Sequence, residues 1–207
     1  MRRPFLGFSL AVLGFYVLLW GSQMLSPGGM TGAVMLVLTT VAGIVFVQPG
    51  WNMWPSRPVG YWAVLFGLLV GSAVLAAFVL RLTKIPTPYD RASLNIVMRL
   101  PGLMAVTGVE ELLFRQVLFR WLEQQHMSLR GTVLATAVAF SGAHLGPLLI
   151  GGEVDGLFYL LQSLYMVWVG LLLGELRRAS GSWVTSWAGH AGYNVTVLLV
   201  LSLNSDL

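Results

Sequence analysis

Apolar runs of about 20 residues recur along this chain, and that length spans the hydrocarbon core of a bilayer. The expected fold class is therefore all-α: a polytopic membrane protein with about seven transmembrane helices and one interfacial helix. Composition agrees. Hydrophobic residues make up 57% and charged residues only 10%, with a mean hydropathy of +0.78. A soluble domain carries roughly 25% charged residues. The 207 residues allow one domain, 1–207, with N-terminal spans in 1–82 and a second group of spans in 100–203.

Taken in order, Arg2 and Arg3 precede an apolar run from Pro4 to about Leu25. Its length exceeds the apolar core of a signal peptide and no Ala-x-Ala-like site follows, so it reads as a retained first span. The second span runs from about Met30 to Val47 and the third from Tyr61 to Leu82. Trp51, Trp54 and Arg57 lie between them, the composition of an interfacial belt. Residues 83–99 hold Lys84, Asp90, Arg91 and Arg99 with Pro86 and Pro88. They read as a loop and then an interfacial helix from about Tyr89. The fourth span covers Pro101 to Leu122, the fifth Gly131 to Ile150, the sixth Leu157 to Leu176 and the seventh Trp183 to Leu203, with a turn at Ser180-Gly181-Ser182.

Charge excludes one class of partner. Most of the twelve Lys and Arg sit at segment ends, whereas a nucleic-acid face needs them clustered. With the N-terminus inside, Arg2, Arg3, Arg57, Arg120, Arg130, Arg177 and Arg178 fall on the inner side, and Arg81, Lys84, Arg91 and Arg99 outside. Seven against four predicts a cytoplasmic N-terminus. The small size suggests a prokaryotic inner or cell membrane, with the lipid bilayer itself as one partner. Cysteine is absent, which removes disulfides, thiol nucleophiles and cysteine zinc sites.

The fourth span carries Gly108-Val109-Glu110-Glu111-Leu112-Leu113-Phe114-Arg115. Ionisable groups in a membrane segment are costly and by default functional. Glu111 and Arg115 are four apart and can pair on one helix face. Glu110 points about 100° away from Glu111. One carboxylate can thus be held as structure while the other faces a cavity. In the fifth span Phe140 and His144 are also four apart, so the aromatic can wall the histidine from lipid. In the seventh, His190 and Asn194 form one polar stripe, and Gly189 and Gly192 permit close approach. His126 reads as a solvated loop residue, Glu175 with Arg178 as a helix-end pair, and the eight Trp as belts and packing.

Two chemistries suit this set. A carboxylate in an apolar site can act as general base toward water near neutral pH, and the remaining His and Asn can donate to the oxyanion of a cleaved amide. Alternatively Glu110, His144 and His190 make a two-histidine, one-carboxylate site for zinc. The residues alone leave both open. So do a proton-coupled transporter with a buried relay and a non-catalytic binding or immunity protein.

Glu110-Glu111-x-x-x-Arg115, Phe140-x-x-x-His144 and His190-x-x-x-Asn194, in that order on apolar spans, resemble the CPBP family of CAAX proteases and bacteriocin-processing proteins. The resemblance covers the chain from about residue 100 onward. It implies a helical intramembrane endopeptidase of glutamate type whose catalytic core is 100–203. It implies that Glu110 and His144 activate water, that His190 and Asn194 form the oxyanion site, and that Glu111, Arg115 and Phe140 support them. It implies a membrane-embedded or membrane-tethered peptide or protein as substrate. No cofactor is favoured, since His-Glu-x-x-His is absent, and zinc stays possible.

Overall fold

In the computed structural model the described residues are 30–47, 50, 54–55, 59–83, 96–145 and 153–202, and they form six helices with no strand. They are α1 (Met30–Val47), α2 (Val59–Thr83), α3, α4 (Leu129–Ala143), α5 (Glu153–Ser180) and α6 (Trp183–Ser202). α3 is continuous but changes character. It runs as α-helix over Ile96–Glu111, as π-helix over Leu112–Leu118 and again as α-helix over Phe119–Gln124. α5 already begins at Glu153 rather than at Leu157, and the expected first span, most of the Trp-rich belt and the start of the interfacial segment at Tyr89 lie outside the described residues. The seven-span count and the charge bias across the membrane rest partly on them.

Among the described residues two helices are long and apolar enough to cross a membrane, through Gly60–Leu80 and Gly156–Ser180. Along α2 the side chains of Leu65, Leu69, Ala73 and Ala77 repeat every four residues and are buried. Val64, Leu68, Leu75 and Phe78 face outward. Both faces are apolar. The interior, by contrast, holds Glu111, Arg115, Gln116, Arg177 and His190. An apolar exterior around an apolar core that also encloses these polar groups suits lipid as solvent, where helices associate through packing and polar contacts.

The π-helical stretch of α3 sits at the centre of the bundle. Five consecutive residues, Leu113 to Val117, are buried there, because α1, α4, α5 and α6 all pack against it. A helix with one packed face cannot bury five in a row; a helix enclosed by four neighbours can. Gln116 donates from Nε2 to the carbonyl of Gly50, and Gln124 to that of Val47 at 3.3 Å. Both tie α3 to the end of α1 and the segment after it.

α4 and α5 approach most closely where side chains are smallest. A Cβ on Gly170 would stand 2.9 Å from Ala137 Cα, and one on Gly174 would stand 3.0 Å from a methyl of Val133. Each pair repeats after four residues, so the two helices meet along small ridges. Gly170→Leu is expected to force the backbones apart at a cost of about 1–3 kcal/mol. The check is a lowered Tm in detergent; an unchanged Tm would refute the close packing.

Two helix ends differ from the sequence reading. α4 closes at Ala143 rather than near Ile150, with His144 as its capping residue. His144 and Leu145 turn back to the carbonyls of Ser141 and Gly142 at 3.0 and 3.1 Å, a tightened last turn. Gly146-Pro147 follows in the sequence, the pattern that stops a helix. α3 begins at Ile96 rather than at Pro101, so Pro101 lies inside the helix. The other end of α4 is conventional: Ser128 Oγ accepts from the Gly131 amide at 3.1 Å. The expected turn after α5 is present, with Gly181 at φ 77°, a conformation that glycine adopts without strain.

Candidate active site

The polar side chains meet where α3, α4 and α6 converge. Glu111 is the last residue before α3 widens and is fully buried. Its Oε1 accepts from His190 Nδ1 on α6 at 3.0 Å, and its Oε2 lies 3.4 Å from Arg115 Nε. Arg115 is fully buried as well. It donates from Nη2 to the carbonyl of Gly170 on α5 at 3.3 Å, and its guanidinium stands 4.7 Å above the Phe140 ring. The pair expected from the spacing is therefore present. It also binds α6 and α5, which the spacing did not reveal. Each partner has one further hydrogen bond, Glu111 Oε1 to His190 and Arg115 Nη2 to Gly170, while Glu111 Oε2 and Arg115 Nε and Nη1 rely on the ion pair itself.

Glu110 takes a different direction. Its side chain is 24% exposed, and its Oε2 lies 4.0 Å from His190 Nε2, beyond hydrogen-bond range. One carboxylate is thus locked between an arginine and a histidine, and its neighbour keeps an open flank.

His144 donates from Nδ1 to the Phe140 carbonyl at 2.9 Å, which leaves Nε2 as the unengaged ring nitrogen. It lies in electrostatic reach of Glu110, His190 and Arg115. The Phe140 ring stands edge-on to His144, His190 and Phe114, with centroids at 4.8, 5.3 and 5.5 Å. It was expected to wall one histidine and instead braces two.

Asn194, one turn beyond His190, donates from Nδ2 to Thr107 Oγ1 on α3 at 3.2 Å. Thr107 is buried, three residues before Glu110 and four before Glu111. Sequence reading passed over it, although its place on the Glu111 face of α3 was a usable signal. Asn194 also lines a cavity of about 430 Å³ between α2, α3, α5 and α6, whose other walls are nearly all apolar, among them Leu103, Phe158, Met166 and Val197.

Among the described residues no three His, Asp or Glu side chains are disposed to share a metal ion. His126 lies in the exposed turn after α3 at φ 60°, and Arg178 pairs with Glu175 at 2.6 Å on the last turns of α5. Both stand where the sequence put them, apart from the cluster.

Residues 92–196 match the family described as type II CAAX prenyl endopeptidase Rce1-like. The chain belongs to that family. The matched segment runs from just before α3 into α6 and so contains the whole cluster. Rce1-like membership agrees with the resemblance carried by the three motifs, and together with the apolar helices it makes this a membrane protein of a protease family. No curated protein and no solved structure matches the chain.

Proposed function

We propose that this Rce1-like protein is an intramembrane endopeptidase of glutamate type. It hydrolyses a peptide bond near the end of a membrane-embedded or membrane-tethered peptide or protein. The observation that carries this reading is the division of labour between the two carboxylates. Glu111 is occupied by Arg115 and His190, while Glu110 keeps a flank open toward His190 Nε2 and His144.

In the proposed reaction Glu110 takes a proton from water. His144, with Nδ1–H spent on the Phe140 carbonyl, accepts the second water hydrogen bond at Nε2. The hydroxide adds to the amide carbon. The oxyanion receives hydrogen bonds from His190 Nε2–H and from the second N–H of Asn194. The Glu111 carboxylate at Nδ1 fixes the orientation of the His190 ring. Glu110 then returns its proton to the leaving amine. No step is routed through a metal.

The apolar cavity beside Asn194 would hold the apolar part of the substrate. A lipidated tail of the kind in the family's description fits that chemistry, and so does an apolar peptide terminus. Thr107 holds the Asn194 amide in place. Thr107→Val is expected to lower kcat about five-fold, the worth of one net hydrogen bond, with the fold intact.

The test is cleavage in liposomes against a panel of lipidated tails, apolar tails and leader peptides, with proton flux measured in the same vesicles. Cleavage of one class without flux is the expected result. Proton-coupled flux with no cleavage would replace the protease by a transporter.

A further inference from the structure

Arg177 on α5 is the buried cation that the reaction does not use. Its residue is 3% exposed, and its Nε donates to the backbone carbonyl of Arg115 at 3.0 Å, in the middle of the π-helical stretch. Its guanidinium lies 5.5 Å from the Phe119 ring centroid. Among the described residues it has no ion pair with a carboxylate. Glu123 is the carboxylate that acts on it electrostatically, beyond ion-pair distance, and a buried cation held by a backbone carbonyl instead is costly, so its position calls for a reason.

The reason lies in what the carbonyl belongs to. A π-helical turn is the less stable backbone form and tends to occur at functional sites. Here it begins immediately after the two carboxylates. α3 and α5 clasp each other reciprocally: Arg115 reaches from α3 to the Gly170 carbonyl of α5, and Arg177 reaches from α5 to the Arg115 carbonyl of α3. From Arg177 the contacts continue through Arg115 Nε to Glu111 at 3.4 Å and from Glu111 to His190 at 3.0 Å.

We propose that Arg177 is a positioning residue for the active site, holding the widened backbone of α3 so that Arg115 and Glu111 keep His190 in place. Its effect on rate rests on the protease reading above; its effect on His190 does not.

The experiment uses Arg177→Met and Arg177→Lys in the full chain, with 15N-histidine NMR and steady-state cleavage. The chain has three histidines, so the imidazole signals can be assigned by single substitutions, and exposed His126 serves as internal control. Arg177→Met keeps length and burial but has no donor. It is expected to shift the His190 signals, leave those of His126, and lower kcat about ten- to a hundred-fold at unchanged KM. Arg177→Lys keeps the charge but not the planar Nε–H, and is expected to fall between. Unmoved His190 signals in either variant overturn the proposal. So does a wild-type kcat in Arg177→Met, or a loss that appears in KM instead. Where Arg177→Met does not fold, the His190 signals of Arg177→Lys decide. A wild type that cuts no peptide counts against the protease reading, and the NMR result still stands or falls by itself.

Discussion

Glu110→Gln is expected to lower kcat about a thousand-fold while leaving the bundle folded. The substitution keeps the size of the side chain and removes only its ability to take a proton. Stability should survive, because Glu110 is partly exposed and its contact with His190, at 4.0 Å, is too long for a hydrogen bond. Helical content, monodispersity and Tm in detergent check the second half of the statement, and cleavage of any substrate found in the panel checks the first. A variant that loses both activity and stability would mean that Glu110 is a structural ion-pair partner, and the roles of the two carboxylates would have to be exchanged.

One residue further on, substitution has the opposite signature. Glu111→Leu is expected to destabilise the protein by about 3–5 kcal/mol. It strands the fully buried Arg115 and removes the acceptor of His190 Nδ1. The double variant Glu111→Leu, Arg115→Leu should recover much of that loss, since two apolar side chains replace a pair whose desolvation was costly. It should not recover activity, because His190 would still lack its anchor. Thermal unfolding of both variants in one detergent is the check. If Glu111→Leu melts with wild type, the buried pair is not what holds α3 to α6.

That neighbouring carboxylates can be told apart at all was legible in the sequence. Adjacent helical residues point about 100° apart, and Arg115 at four residues selects Glu111 as its partner. Phe140 before His144, and Asn194 after His190, were legible by the same spacing. What escaped were contacts that carry no residue pattern. The Gly170 carbonyl is a backbone atom on a helix read only for its apolarity. Arg177 was counted as a charge at a span end and is instead buried against α3. The π-helical stretch has no composition signal, because Leu112 to Leu118 would read as ordinary α-helix. It is packed on four sides, which is tertiary information. The early end of α4 was readable from Gly146-Pro147, but the apolar run around it reads through to Ile150.

The most direct test of the central claim compares wild type with Glu110→Gln on a cleaved membrane-tethered peptide, each with and without a zinc chelator. Undiminished wild-type cleavage in the chelator, with none by the variant, is what Glu110-activated water predicts. Cleavage that stops in the chelator and returns with zinc would hand the water to a metal. Equal cleavage by both proteins would remove Glu110 from the reaction.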